Sequence, residues 1–255
     1  MLAGVVQETG AVQEKKRFAR FVGAQAWLRA RRGLIAVMLL LGIFVLLTVI
    51  AKSPGLRDWD ADVSRFVQRG ESAPLTAIAR AFTILGNGPV LLGVSVPALV
   101  WLWRARKPVG GTLLVAAILG HILNVALKAL VNRPRPGAAD EVDKLFETHG
   151  SSFPSGHAMT AVMFFGFLAV LIEVHVRSRP LRRVLITLTS FLALGICLSR
   201  VYLGNHFTSD IVGGIAAGLL FLFTWVVAYR RWGAKEFAPV VSNGTGGGEQ
   251  NAATI

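Results

Sequence analysis

Three clusters of polar and charged residues interrupt a sequence that is otherwise strongly apolar. They read KALVNRPRP at 128–136, PSGH at 154–157 and SRVYLGNHFTSD at 199–210. The first and third clusters supply cations, among them Lys128, Arg135 and Arg200. An arginine side chain presents a planar fork that suits two phosphate oxygens at once. These cations therefore favour the binding of phosphate, or of an anion with the same shape.

The second cluster adds hydrogen-bond donors to these charges. Ser155 and the backbone N–H groups around Gly156 directly precede an apolar run, where a helix would begin. A helix N-terminus carries free N–H groups and a partial positive charge, both of which favour an anion. Glycine lets an oxyanion approach the backbone closely. Alone, Ser155 would be interpreted as a helix cap, but together with the cations it predicts a cradle for a dianion.

Two histidines and a carboxylate would make this cradle reactive. His206 and Asp210 are four residues apart, so on a helical turn they share one face. The carboxylate would hold one ring nitrogen protonated and leave the other as a nucleophile. His157 would then protonate the leaving oxygen, because imidazole titrates near pH 6.5 and serves as acid or base close to neutrality.

Six apolar stretches must position these clusters. Each approaches the roughly 20 apolar residues that are needed to cross a bilayer, and they cover 33–51, 83–103, 109–131, 158–176, 184–199 and 211–229. Glu173 interrupts the fourth stretch and Arg200 ends the short fifth one, so both would depend on snorkelling side chains at their ends. The predicted fold is an all-α, polytopic membrane bundle of six transmembrane helices.

The overall composition agrees with a membrane protein. Hydrophobic residues make up 53% of the chain and charged residues 16%, whereas a soluble domain has about 25% charged residues. The net charge of +13 does not indicate nucleic-acid binding, because the basic residues cluster beside apolar runs, where they would meet lipid head groups. The single cysteine, Cys197, excludes an intrachain disulfide.

Basic residues also predict how the six spans are oriented. Most of the 27 lysines and arginines lie before the first span, after the last, or in the loops joining spans two to three and four to five. The positive-inside rule places those segments, and so both termini, in the cytoplasm. Residues 1–32 are then a basic cytoplasmic segment, 33–232 the six-span domain and 233–255 a disordered cytoplasmic tail. The three clusters fall at the outer ends of spans three to six, where they would share one pocket.

Taken in order, the three clusters resemble the signature of the type 2 phosphatidic acid phosphatase superfamily. That signature is Lys, six residues, Arg-Pro; then Pro-Ser-Gly-His; then Ser-Arg, five residues, His, three residues, Asp. It is filled in this sequence by Lys128 with Arg135 and Pro136, by Pro154, Ser155, Gly156 and His157, and by Ser199, Arg200, His206 and Asp210. Arg133 lacks the six-residue spacing and is interpreted as part of a stiff, solvated exit from the helix.

The resemblance implies a mechanism and roles for the residues that match. His206 would attack phosphorus to form a phosphohistidine, Asp210 would orient it, and His157 would be the general acid. The phosphoryl group would be bound by Lys128, Arg135, Ser155, Gly156 and Arg200. No metal and no cofactor are expected.

The implied activity is that of a lipid phosphate or diphosphate phosphatase in the cell membrane, with its active site facing outward. The expected substrates are undecaprenyl diphosphate or phosphatidylglycerophosphate, and also phosphatidic acid or diacylglycerol diphosphate. Membrane lipids are the expected surroundings, and neither nucleic acid nor an obligate protein partner is expected. Two alternatives stay open: a lipid phosphotransferase would pass the phosphoryl group to an alcohol, and a lipid or anion transporter would use the cations without the His206–Asp210 pair.

Three further patterns predict local structure. The outer acids Asp140, Glu141, Asp143 and Glu147 are expected in a solvated loop, or in a flap over the pocket, rather than in a cation site. The helical spacing of Leu75, Ile78, Ala79 and Phe82 indicates either a helix in the membrane interface or one packed on the bundle. His121, Asn124 and Lys128 form a polar stripe that is expected to face the bundle interior.

Overall fold

The protein is described by a computed structural model that covers residues 31–88, 90–91, 93 and 109–232. Within these residues the regular elements are helices, and no strand occurs. In chain order they are α1 (Arg31–Ile50), α2 (Pro54–Gln68), α3 (Ala73–Leu85), α4 (Val109–Val131), a 3₁₀ turn (Ala138–Asp140), α5 (Gly156–His175), α6 (Arg179–Tyr202) and α7 (Thr208–Trp232). The predicted all-α class is confirmed.

Four of the described helices, α1, α5, α6 and α7, are long and apolar enough to cross a membrane. The two predicted spans that were weak by themselves, the fourth and the fifth, both form complete helices of 20 and 24 residues. Helix α6 begins at Arg179 and not at Val184, because Pro180 fits the first helical turn and starts the helix among the arginines. Helix α5 begins at Gly156, two positions before the predicted start at Ala158. The total of six spans stays a prediction.

The predicted start of the second span, Thr83, is wrong. Thr83 lies in α3, which ends at Leu85; the chain turns at Gly86 and is helical again from Gly88. Gly86 lies against α6, and a Cβ atom there would be 2.5 Å from Ile196 Cγ2. Residues 94–103 of this predicted span lie outside the described residues, as do 1–30 and 233–255 of the predicted terminal segments.

Helix α5 is the centre of the bundle and packs along both α6 and α7. Small residues on these helices permit the close approach, among them Ala158 and Ala161 on α5 and Ala216 on α7, which are all buried. The opposite face of α6 carries exposed apolar side chains one helical turn apart, at Val184, Leu188, Phe191, Leu194 and Leu198. In a spanning helix such a stripe faces lipid.

Helix α3 packs against the end of α6, as the packed interpretation of its pattern predicted, and its position in the membrane interface stays a prediction. Ala79 is buried, and the hydroxyls of Thr76 and Tyr202 lie 2.9 Å apart. Thr83 Oγ1 lies 3.0 Å from Ser199 Oγ in a fully buried contact. Leu75 and Ile78 stay exposed on the outer side of the helix. Helix α3 is thereby fixed beside Arg200.

Helix α2 holds the loop that contains the outer acids. Arg57 donates from Nε to Asp140 Oδ1 at 2.6 Å and from Nη2 to Asp140 Oδ2 at 3.1 Å, and this carboxylate raises the pKa of Arg57. Gln68 donates to the Asp143 carbonyl at 2.8 Å and accepts from the Asp143 N–H at 3.1 Å. The expectation of a solvated acidic loop is wrong for Asp140, which is buried by this ion pair, and holds for the exposed side chains of Glu141, Asp143 and Glu147.

Gly204 forms the turn between α6 and the site, in a left-handed conformation with φ of 67°. A Cβ atom at this position would overlap the backbone carbonyl of Asp143. Gly150 also has a positive φ, of 80°, but a Cβ atom there would meet open space. A side chain at either position would be strained by the left-handed backbone, but only a side chain at position 204 would also overlap Asp143.

We expect Gly204→Ala to destabilise the protein more than Gly150→Ala does. The left-handed conformation costs a residue with a Cβ atom about 1–2 kcal/mol, and only the Gly204 variant adds the overlap with Asp143. Thermal unfolding of the detergent-solubilised protein measures the difference. Equal losses of melting temperature would show that the Asp143 contact does not constrain this turn.

Candidate active site

The polar clusters meet in a cavity of about 290 Å³ at one end of the bundle. Its wall includes most of the predicted site residues, namely Lys128, Arg135, Gly156, His157, Arg200 and His206. The segment 148–151 forms the remaining wall. Ser155 and Asp210 are fully buried behind it. Residues of all three clusters line this one cavity, as the sequence predicted.

Helix ends position these side chains. Lys128 and Arg200 lie in the last turns of α4 and α6, while His157 lies in the first turn of α5. His206 belongs to the short connection between α6 and α7, and Asp210 to the first turn of α7. Antiparallel neighbours of this kind bring two helix C-termini and two helix N-termini to one face of a bundle.

His206 is almost completely buried, and its Nε2 atom lies 3.2 Å from Arg135 Nη1. A guanidinium only donates hydrogen bonds, so Nε2 must be the acceptor and Nδ1 must carry the ring proton. Burial lowers the pKa of His206 to about 3, although the Asp210 carboxylate acts in the opposite direction. At neutral pH the ring is therefore uncharged, with its lone pair at the cavity.

The link from His206 to Asp210 passes through a serine that the sequence pattern did not indicate. His206 Nδ1 lies 3.6 Å from Asp210 Oδ2, which is longer than a hydrogen bond. The hydroxyl of Ser152 donates to Asp210 Oδ2 and lies 3.4 Å from His206 Nδ1. The backbone N–H of Phe207 donates to the same carboxylate oxygen at 2.8 Å. Asp210 is thus close to His206, as predicted, with Ser152 between them.

Backbone carbonyls hold two of the cations in place. Arg135 donates to the carbonyls of Gly150, Asn205 and His149 at 2.9, 2.7 and 3.1 Å. Lys128 Nζ donates to the carbonyl of Ser151 at 2.5 Å. Burial lowers the pKa of Arg135, with the Asp210 carboxylate opposing the shift. These neutral acceptors orient the cations without cancelling their charge.

Arg200 is positioned by α3. Its side chain is 1% exposed, and Nη1 donates to Thr83 Oγ1 at 3.0 Å. Its buried Nε has no hydrogen-bond partner among the described residues. A buried donor without a partner is costly, so Nε is available to an anion in the cavity. Thr83 lies outside the signature, and no spacing in the sequence links it to Arg200.

Ser155 is the N-cap of α5, the interpretation that its position alone favours. Its Oγ accepts from the Ala158 N–H at 3.4 Å, and its own N–H donates to the Asp210 carbonyl at 3.0 Å. It contributes no part of the cavity wall, whereas Gly156 does. A role for Ser155 in binding phosphate stays a proposal.

The polar stripe on α4 faces the bundle only in part. A Cβ atom on Gly156 would lie 2.9 Å from Asn124 Oδ1, and Asn124 Nδ2 lies 3.7 Å from Met159 Sδ. Asn124 therefore joins α4 to α5 beneath the cavity. His121 is exposed, so its expected inward position is wrong. Gly120 and Asn124 share the face that meets α5, and His121 is turned about 100° from Gly120 around the helix.

The interpretation of Arg133 as a solvated exit is also wrong. Its side chain is 2% exposed and forms ion pairs with Asp60 at 2.8 Å and with Asp210 at 2.7 Å. Arg133 lies outside the cavity wall, as its spacing from Lys128 predicted. The sequence carries a weak signal in the repeated Arg-Pro pair at 133–136, but nothing connects Asp60, 73 positions earlier, to this site.

The fold and the site define a class of protein: a helical membrane protein whose helix ends gather cations and histidines around an anion-binding cavity. Comparison with known families gives the same answer. The family model described as the PAP2 superfamily matches residues 110–234. Phosphatidylglycerophosphatase B of Bacillus subtilis strain 168 is 30% identical over 184 residues, which cover 71% of this chain and 88% of that protein. The chain belongs to the PAP2 superfamily.

Two solved structures are similar to this one. The first transmembrane PAP2 type phosphatidylglycerolphosphate phosphatase from Bacillus subtilis has a TM-score of 0.70 at 24% identity, covering 76% of this chain and 96% of that one. Aquifex aeolicus LpxE has a TM-score of 0.52 at 28% identity, covering 66% of this chain and 93% of that one. The first likeness supports the fold alone.

The low pKa of His206 predicts a loss of stability in acid. Below about pH 6.5 an unfolded histidine takes up a proton, whereas folded His206 stays neutral until about pH 3. The unfolded state binds more protons between these values, so stability should fall as the pH is lowered through this window. The measurement is the melting temperature from pH 7 to pH 4, compared with His206→Asn.

The non-titrating variant His206→Asn should show a shallower decline. His149→Asn, which removes an exposed histidine at the rim of the cavity, is the matched control and should follow the wild type. An unchanged slope in His206→Asn would contradict the burial of a neutral His206.

Proposed function

We propose that this protein is an integral-membrane phosphatase that removes phosphate from lipid phosphates or diphosphates through a phosphohistidine on His206. One observation carries the proposal: the uncharged imidazole of His206 lines a cavity together with Lys128, Arg135 and Arg200, and its Nε2 atom lies 3.2 Å from Arg135 Nη1, one of the cations that would bind the phosphate. Fixed cations of this kind bind a phosphate dianion and stabilise the charge of the transferring phosphoryl group.

In the proposed reaction, Lys128, Arg135 and Arg200 bind the phosphate oxygens, with Gly156 and Ser155 at the start of α5 adding the helix N-terminus. His206 Nε2 attacks phosphorus while the bond from phosphorus to the lipid oxygen breaks. His157 gives its proton to that oxygen, which leaves as the lipid alcohol or as the lipid monophosphate. His157 then takes a proton from water, whose oxygen attacks the phosphohistidine and releases inorganic phosphate.

Asp210 stabilises the ring of His206 while it carries positive charge. In the intermediate Nε2 is bonded to phosphorus and Nδ1 keeps its proton, so the ring becomes cationic. The hydroxyl of Ser152 and the carboxylate of Asp210 lie on the Nδ1 side, at 3.4 and 3.6 Å. The reaction uses side-chain cations for charge stabilisation and is proposed to be independent of metal.

Undecaprenyl diphosphate and phosphatidylglycerophosphate are the proposed substrates, with phosphatidic acid and diacylglycerol diphosphate as further candidates. The name of the Bacillus subtilis relative that is 30% identical, phosphatidylglycerophosphatase B, supports the second of these. The cavity lies at the ends of apolar helices, so a head group can enter it while the acyl or prenyl tail stays in lipid. The active site is proposed to face outward from the cell membrane.

We expect the purified wild-type protein to release phosphate from a panel of these four lipids in the presence of EDTA. His206→Ala should lose activity by about 1,000-fold or more, because it lacks the nucleophile. His121→Ala is the matched control, since it removes an exposed histidine of α4 that lies outside the cavity wall, and it should retain full activity.

The same assay separates the alternatives. A phosphotransferase would form an acid-labile phosphoenzyme but release little inorganic phosphate, and with an added alcohol acceptor it would form the phosphorylated alcohol instead. A transporter would release none. Retention of wild-type turnover by His206→Ala would refute the phosphohistidine, and loss of turnover in EDTA that is restored by a divalent cation would refute metal independence.

The orientation has a separate test in a Cys197→Ala background, which removes the buried native thiol. Ala138 is exposed at the end of the bundle that holds the cavity, and Ser178 is exposed at the opposite end, between α5 and α6. In intact spheroplasts, a membrane-impermeant thiol reagent should label Ala138→Cys and should label Ser178→Cys only after lysis. The reverse pattern would place the cavity on the cytoplasmic side.

A further inference from the structure

Behind His206 lies a buried ion-pair network that extends beyond the signature residues. Arg133 Nη2 donates to Asp60 Oδ2 at 2.8 Å, and Arg133 Nη1 donates to Asp210 Oδ1 at 2.7 Å. The side chains of both aspartates are 0% exposed and that of Arg133 is 2% exposed. One guanidinium therefore bridges a carboxylate of α2 and the carboxylate of α7 that supports His206.

Ser209 closes this network. Its hydroxyl accepts from Arg133 Nη1 at 2.7 Å and forms a second hydrogen bond with Asp60 Oδ2. Its backbone N–H donates to Asp60 Oδ1 at 2.9 Å, so both oxygens of Asp60 have partners. The guanidinium of Arg133 also lies over the ring of Phe207, 4.6 Å from its centroid. These contacts hold Arg133 in one orientation.

The charges of this network suit the proposed intermediate. A carboxylate buried without a partner is costly and tends to take up a proton instead. Arg133 neutralises one of the two aspartates, so that the three groups together carry one negative charge. The ring of His206 gains one positive charge when its Nε2 atom bonds to phosphorus. The network therefore supplies one counter-charge, on the Nδ1 side of the ring.

We propose that Asp60 and Arg133 are positioning residues of the active site: Asp60 orients Arg133, and Arg133 holds the carboxylate of Asp210 against Ser152 and His206. Neither residue contacts the cavity, so neither binds substrate. The inference rests on the proposed phosphatase function. It predicts that disturbing the network slows phosphoryl transfer while leaving phosphate binding intact.

The test uses Asp60→Asn, which keeps the side-chain volume and removes the charge, and Arg133→Lys, which keeps the charge and removes the fork. Turnover of dioleoyl phosphatidic acid in detergent micelles gives kcat and KM, and inhibition by inorganic phosphate reports on the cations of the cavity. We expect kcat to fall by about 10- to 100-fold in both variants, because a misplaced group behind the nucleophile costs this much. KM and the phosphate inhibition constant should stay at their wild-type values.

Two further variants serve as a control and as a milder change to the network. Arg57→Gln is the matched control. It removes the ion pair between Arg57 of α2 and Asp140, and neither of these residues lines the cavity. It should leave kcat unchanged even where it lowers the melting temperature. Ser209→Ala removes one hydroxyl from the network without changing its charge and should lower kcat by a smaller factor. This variant tests the inference even if Asp60→Asn and Arg133→Lys fold poorly.

Wild-type kcat in the folded network variants would overturn the inference. So would a parallel loss of kcat and phosphate inhibition, because that result would show that Asp60 and Arg133 support the whole cavity and not the nucleophile. A wild-type protein that released no phosphate from any lipid would refute the proposed function itself, and the inference with it.

Discussion

Repulsion among like charges is the constraint on which this structure depends. Lys128, Arg135 and Arg200 face one cavity of about 290 Å³, in a protein whose surroundings are largely apolar. Backbone carbonyls accept hydrogen bonds from Lys128 and Arg135, and a threonine hydroxyl accepts from Arg200. Neutral acceptors orient a cation without cancelling its charge, so the cations stay available to an anion.

The carboxylates that offset these charges lie behind the cavity and not in it. Asp210 and Asp60 share Arg133, and all three are removed from water. A carboxylate inside the cavity would compete with phosphate for the cations, whereas one placed behind His206 supports the ring as it becomes cationic. The site thus separates an anion-binding side from an imidazole-supporting side, and His206 lies between the two.

Much of this arrangement could be predicted from local patterns. Apolar runs of sufficient length predicted the helices, and the bounds of α4, 109–131, match the structure. The alternating direction of successive helices predicted that Lys128, Arg200 and His206 would meet. Two errors have different causes. The predicted second span was placed across Gly-Asn-Gly-Pro at 86–89, a local turn signal that the length criterion overlooked, and α3 ends just before it at Leu85. His121 faces outward because Gly120 and Asn124 make the contact with α5.

By itself, the sequence determined the class of fold, the family signature and six of the ten residues that line the cavity, because hydrophobic length and motif spacing are local properties of the chain. Only the tertiary structure decided how those residues are supported. Asp60, Thr83 and Ser152 come from different segments, and no spacing rule relates them to His206. Arg133 precedes a proline just after the end of α4 and looks solvated in the sequence, but it is buried because α2 brings Asp60 to one side of it and α7 brings Asp210 to the other. A buried charge pairs with the opposite charge that lies closest to it in the folded protein, and the order of residues along the chain does not reveal that distance.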